Sequence, residues 1–218
     1  MAPVTVAIIG TGNIGSAVAR QLTGGGEAVI VASKDESKAE VLTRELGSHA
    51  RAGTVREAIA DADAVLFALW LDTIREIIPL HASLLADKIV IDPSNPIGFD
   101  EQGRIFRRLP EPRSAASVVS DLLPASARYV KAFGSLSADQ FVSNAGREPQ
   151  RVVLFYATDD DEAKETIERL IRAAGFEPLR VGGLAAAARI EAPGGDLQGA
   201  TLALEEARIA VAPANAPA

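Results

Sequence analysis

The stretch from Val4 to Gly15 constrains this chain more than any other. Val4-Thr5-Val6-Ala7-Ile8-Ile9 is a short apolar run, and Gly10-Thr11-Gly12-Asn13-Ile14-Gly15 follows it directly. A buried strand running into G-x-G-x-x-G and then a helix is the backbone that a dinucleotide pyrophosphate needs. The first glycine permits the tight turn and the second lets the anion approach the main chain. The third lets the helix lie close on the strand, with its N-terminal amides aimed at the phosphates. The six-residue pattern alone is a weak signal. Its context strengthens it, because Ile14, Val18 and Leu22 fall on one helical face just beyond the turn.

Apolar runs and helical patterns then alternate along the chain. Strands are expected at Val4–Ile9, Ala28–Ala32, Ala64–Leu69, Lys88–Asp92, Tyr129–Phe133, Arg151–Ala157 and Glu177–Val181, with a weak one near Ala50–Ala52. Most are continuously apolar rather than alternating, the mark of strands buried on both faces of a parallel sheet. The expected fold is α/β, a Rossmann-type doubly wound parallel sheet with a small C-terminal α/β portion. Residues 1–134 read as the nucleotide-binding domain and 135–218 as the smaller substrate or oligomerisation portion. Pro93 to Pro112 reads as one long proline-marked connection. Asp159–Ala174 reads as an amphipathic helix. Two further helices, near Leu184–Ile190 and Leu197–Val211, close the pattern.

Composition removes several function classes. The 218 residues contain no cysteine, which excludes disulfides, zinc thiolate sites and cysteine nucleophiles. A net charge of -7 without a basic stripe argues against a nucleic-acid partner. The longest apolar run, Ala64 to Leu71, is far too short to span a membrane. The first strand begins almost at the N-terminus, so no signal peptide is expected and a cytoplasmic protein is. His49 and His81 have no nucleophile partner. Asp159-Asp160-Asp161 lacks the glycine and the acidic twelfth position of a calcium loop, so no metal site is expected.

The end of the second strand bears on which nucleotide is bound. NAD-preferring folds place an acid there for the ribose 2′-hydroxyl. Here the strand ends Val31-Ala32-Ser33-Lys34. A hydroxyl donor and a compact positive charge suit a 2′-phosphate, which a carboxylate would repel. Lys38, one helical turn on, adds to this site or is a solvated surface lysine. The expected cofactor is NADP(H). Leu69 and Trp70, at the end of another strand, either wall the nucleotide cleft or pack in the core. Asn95 either orients the nicotinamide or serves as a turn residue before Pro96.

Several segments taken together resemble the NADPH-dependent coenzyme F-420 reductase family. They are residues 6–15, Ser33-Lys34-Asp35, Asp92-Pro-Ser-Asn-Pro96, Leu123-Pro124, Val130-Lys-Ala-Phe133, Asp160-Asp-Glu-Ala-Lys164, Gly175-Phe176 and Gly182-Gly-Leu184, followed by Ala188-Arg189-Ile-Glu191. The resemblance implies NADP(H) binding, direct hydride exchange with a deazaflavin, and a homo-oligomer, most simply a homodimer. It favours a Lys131 that reaches an anionic group at the sheet edge over one that simply snorkels, and it places Phe133, Gly134 and Leu136 at the second-substrate pocket, although core packing is the safer reading of Phe133 or Leu136 taken alone. One departure stands out. Family members commonly carry Asn where this chain has Gly134, which removes an amide close to the second substrate. No acid–base dyad is expected, because hydride transfer needs little from side chains. Two other readings stay open: a Rossmann module that senses NADPH without turnover, and an NADPH reductase of a small carbonyl or imine. The pyrroline-carboxylate type of reductase shares the first motif but needs a longer helical C-terminal region.

Overall fold

The computed structural model describes residues 4–212. Its centre is an eight-stranded sheet of order β10-β9-β8-β5-β4-β1-β2-β3. Strand β1 (Thr5–Ile9) pairs in parallel with β2 (Ala28–Ala32) on one side and with β4 (Ala64–Phe67) on the other. The winding therefore reverses between β1 and β4, and ligands of open α/β sheets collect at such a switch point. Strand β3 (Ala50–Ala52) forms one edge. On the other side β5 (Ile89–Asp92) and β8 (Arg128–Lys131) continue the parallel set.

The central strands are buried on both faces, as their unbroken apolar runs require. One face is covered by α1 (Asn13–Gly24), α2 (Glu36–Leu46), α6 (Ala138–Asn144) and α7 (Asp161–Ala173). The opposite face is covered by α3 (Val55–Asp61), α4 (Leu71–His81) and α5 (Ala115–Ser120). Helix α7 keeps Ala163, Ile167, Leu170 and Ile171 inside, and Asp160 caps it by accepting from the Ala163 amide at 2.8 Å. Strands β9 (Val153–Ala157) and β10 (Glu177–Gly182) carry the same sheet past residue 134.

Three expectations change. First, β9 pairs with β8 in the antiparallel sense, through Lys131 and Ala157, so the last two strands run against the other six. Continuous apolarity reports burial on two faces and is silent on direction. Second, the connection after Pro93 holds an antiparallel hairpin, β6 (Ile97–Phe99) and β7 (Ile105–Arg107), which forms a separate two-stranded sheet. Strands of three residues are too short to show a period. Third, the helix expected from Leu197 begins only at Leu204 as α8 (Leu204–Val211), and residues 184–190 form 3₁₀ turns. Gly199, at φ +73°, breaks the earlier stretch.

Candidate functional site

The carboxyl ends of β1, β4, β5 and β8 bring their loops to one edge of the sheet. The three glycines after β1 serve two different purposes there. A Cβ on Gly10 would lie 2.4 Å from the Ala68 carbonyl oxygen, and one on Gly15 would lie 2.0 Å from the Gly10 carbonyl oxygen. Both positions are closed by the chain's own backbone, and Gly10 also holds φ +113°. A Cβ on Gly12 would instead project into open space. Gly12 is thus the glycine that leaves room for a ligand. It caps α1, whose first turn carries no acidic residue and no side-chain cap. The amides there are free to face an anion. Asn13 is exposed and Ile14 half-buried beside them.

The loop is tied to the tip of β2. The Gly10 amide donates to the Ala32 carbonyl at 2.8 Å, and the Thr11 hydroxyl donates to Ser33 Oγ at 3.1 Å. Ser33 and the exposed Lys34 therefore stand beside the glycine turn. Lys34 makes no ion pair among the described residues. Lys38 lies 4.0 Å from Asp35. The Ser37 hydroxyl donates to Asp35 at 2.6 Å, and this bond, with Lys38 nearby, holds the Asp35 carboxyl below its usual range. A depression of about 260 Å³ between α1 and α2 is lined by Thr11, Ser16, Ser37 and Lys38.

Across the switch point, Leu69 presses on Gly10: a Cβ there would be 3.0 Å from Leu69 Cδ2. Trp70 stands at the N-cap of α4 and is 62% exposed, so it does not pack in the core. The loops after β5 and β8 are clipped together by Asn95. Its side-chain amide donates to the Gly134 carbonyl at 2.9 Å, and its carbonyl accepts from the Ala192 amide at 2.8 Å. These bonds make Asn95 a clamp on three segments. The hydroxyls of Ser94 and Ser135 are buried at this edge with no hydrogen-bond partner among the described residues.

Lys131, Phe133 and Leu136 have their side chains inside the protein: the anionic groups that Lys131 reaches are the chain's own, and the two apolar residues take the core reading. Lys131 is 1% exposed. Its ammonium donates to Asp92 at 3.0 Å and to the Ser94 carbonyl, and it lies 3.5 Å from Glu191. Its charge is met within the chain, which leaves none for a bound nucleotide. Phe133 and Leu136, 1% and 4% exposed, pack into the core. The Phe133 ring meets Phe141 edge-on at 6.0 Å. These side chains form no pocket wall. Phe133 reaches its position with φ +64°, a strained value for a bulky residue.

Gly134 has a structural reason. A Cβ there would stand 2.2 Å from the Pro93 carbonyl oxygen. Gly134→Asn should therefore not restore the residue common in the family. It should lower unfolding free energy by about 1–3 kcal/mol, as overpacking does, in chemical denaturation. An unchanged midpoint would show that the loop after β5 yields freely.

Sequence reading missed the network around Lys131. The Tyr129 hydroxyl donates to Asp92 at 2.7 Å, and the Ser94 amide donates to the other Asp92 oxygen at 2.7 Å. Burial, and then the Asp92 charge, push the Tyr129 phenol well above its ordinary value of 10, so it stays a donor. Glu191 is fully buried and accepts the amides of Ala115 and Ala116 at 3.0 and 2.8 Å. A signal existed: an acid and a lysine close two apolar strands, and Asp92 pairs with Lys131 in register.

The model of the family described as NADP oxidoreductase coenzyme F420-dependent matches residues 5–96, the segment that holds the glycine turn, the β2 tip and Asn95. Residues 5–96 carry that family's signature. Over 188 residues it is 34% identical to the metalloreductase STEAP3 of Rattus norvegicus, covering 86% of this chain. It spans 36% of the length of that relative. A solved structure of the hypothetical protein SMa0349 from Sinorhizobium meliloti is 31% identical, with TM-score 0.82, over 92% of this chain and 95% of that one. A candidate F420-dependent NADP-reductase from Arthrobacter sp. FB24 has TM-score 0.72 at 22% identity, over 84% of this chain and 87% of its own, and supports the fold alone. No described helix is long and apolar enough to cross a membrane.

Proposed function

We propose that this protein binds NADP(H) along the carboxyl edge of its sheet and exchanges a hydride between that cofactor and a flavin- or deazaflavin-like acceptor. By resemblance the acceptor is coenzyme F-420. The observation that carries the reading is the pairing of an open Gly12 with a β2 tip that offers Ser33 and Lys34 and no carboxylate. The residues fit the group. Gly12 and the first amides of α1 would hold the diphosphate. Ser33 and Lys34, with Lys38 behind them, would hold the 2′-phosphate. The nicotinamide half would then fall on the β4–β5 side, where the partnerless Ser94 and Ser135 hydroxyls suit its carboxamide. When bound there, the nicotinamide supplies the hydride. The chain's own part is to hold the ring, exclude water and fix the approach of the acceptor.

Lys34→Glu tests the nucleotide assignment. It replaces a charge-assisted contact worth about 1.5–3 kcal/mol with repulsion, so NADPH should weaken by about 10- to 100-fold in calorimetric titration. NADH should change little. Equal losses for the two nucleotides would overturn the choice of NADP(H).

A second reading, an NADPH sensor without turnover, rests on Asp92, Lys131 and Glu191 being buried and paired with one another and not presented to a substrate. Mixing protein and NADPH with flavins and a 5-deazaflavin, and following nicotinamide absorbance, separates the two. A sensor leaves every acceptor unreduced.

A further inference from the structure

We propose that Trp70 and the β6–β7 hairpin form an aromatic platform that receives the planar conjugated ring of the hydride acceptor. This rests on the reading that NADP(H) lies on the carboxyl edge. The chain has seven phenylalanines, two tyrosines and one tryptophan. Trp70, Phe99 and Phe106 are 62%, 55% and 46% exposed; Trp70 and Phe99 are in contact, and Phe106 lies on the opposite face of the same hairpin. Phe67, Phe133, Phe141, Phe155, Phe176 and Tyr156 are buried. Exposed aromatics in contact with one another mark a binding surface more often than chance.

The platform is built and not loose. Trp70 and Phe99 meet edge-on, with centroids 6.0 Å apart and planes at 84°. That contact leaves a face of the indole open. Phe99 pairs with Ile105 in register, so both side chains share one face of the hairpin. Phe106 braces the other face: a Cβ on Gly98 would lie 2.6 Å from its ring, so the ring sits over the glycine. An Arg108–Asp72 ion pair ties the foot of the hairpin to the first turn of α4, next to Trp70. At the hairpin tip Arg104 Nε donates to Asp100 at 2.7 Å.

Position selects the occupant. Trp70 follows Leu69, which touches Gly10, and Phe99 lies four residues beyond the Asn95 clamp. The two rings therefore flank the β4–β5 side, where the nicotinamide half would lie. A flat ring resting on the indole would be held face to face with a hydride donor in that crevice. Arg104 and Arg108 are matched by Asp100 and Asp72, whereas Arg107 has no carboxylate partner among the described residues, so the hairpin keeps one cation for an anionic side chain on the ring. Four exposed apolar side chains, Trp70, Phe99, Ile105 and Phe106, fall short of the roughly 800 Å² per partner of a stable interface between copies.

Trp70 is the single tryptophan, so its emission reports on this surface alone. Protein saturated with NADP⁺ is titrated with FMN and with a 5-deazaflavin, while calorimetry follows NADP⁺ itself. The expected result is saturable quenching by at least one ring. Phe99→Ala should raise its half-saturation by about tenfold and leave NADP⁺ affinity unchanged. Linear quenching by both rings, identical in Phe99→Ala, would sink the platform and leave the nucleotide reading standing. Failure of NADP⁺ to bind would end both. A dimer in sedimentation that Phe99→Ala splits, with ring affinity unmoved, would assign the surface to a second copy and also overturn the proposal.

Discussion

Lys131→Met should cost about 3–5 kcal/mol of unfolding free energy, the range for removing one partner of a buried ion pair. At about 2–4 °C per kcal/mol for a chain of this size, Tm should drop by roughly 6–20 °C. The substitution keeps the volume of the stem and strands two carboxylates, Asp92 and Glu191, both fully buried. Their remaining donors are the Ser94 amide and Tyr129 hydroxyl for Asp92, and the Ala115 and Ala116 amides for Glu191. Those bonds soften the loss without replacing a charge. Adding Glu191→Gln to Lys131→Met should recover part of it, since one stranded charge is gone while an acceptor for one α5 amide remains. Additive losses, or a single variant as stable as the parent, would show that the three groups are not energetically coupled.

Gly12→Val should do the reverse and spare the fold while removing nucleotide binding. Its Cβ meets nothing of the protein, and its φ of -70° is ordinary for any residue. Thermal stability should stay within about 0.5 kcal/mol. The branched side chain would occupy the space through which a diphosphate reaches the α1 amides, so NADPH affinity should fall by about 100-fold or more in calorimetry. Gly15→Ala is the control, since it drives a methyl to 2.0 Å from the Gly10 carbonyl oxygen and should damage stability and binding together. Retained NADPH affinity in folded Gly12→Val would remove the diphosphate from this turn.

These variants separate two layers of one edge. Lys131, Asp92, Tyr129 and Glu191 are internal scaffolding that fixes where the loops after β5 and β8 stand. Gly12, Ser33 and Lys34 face outward. Sequence pattern identified the outward layer because each of those residues belongs to a contiguous motif. It misplaced Lys131, because the residues that neutralise this lysine lie 39 and 60 positions away.

The local pattern of residues determined the strands and helices of the sheet, the glycine turn, the acid-free tip of β2 and the capped α7. Each is set by neighbours within one or two turns of chain, where apolar period, capping and glycine geometry act. Tertiary structure alone decided that β9 runs against β8, and that Gly134 sits under Pro93. It also decided that the proline-marked connection folds into a hairpin with aromatic side chains on its surface. Those outcomes depend on pairings between residues far apart in the chain, and burial and steric contact at such distances leave no periodic trace in a single sequence.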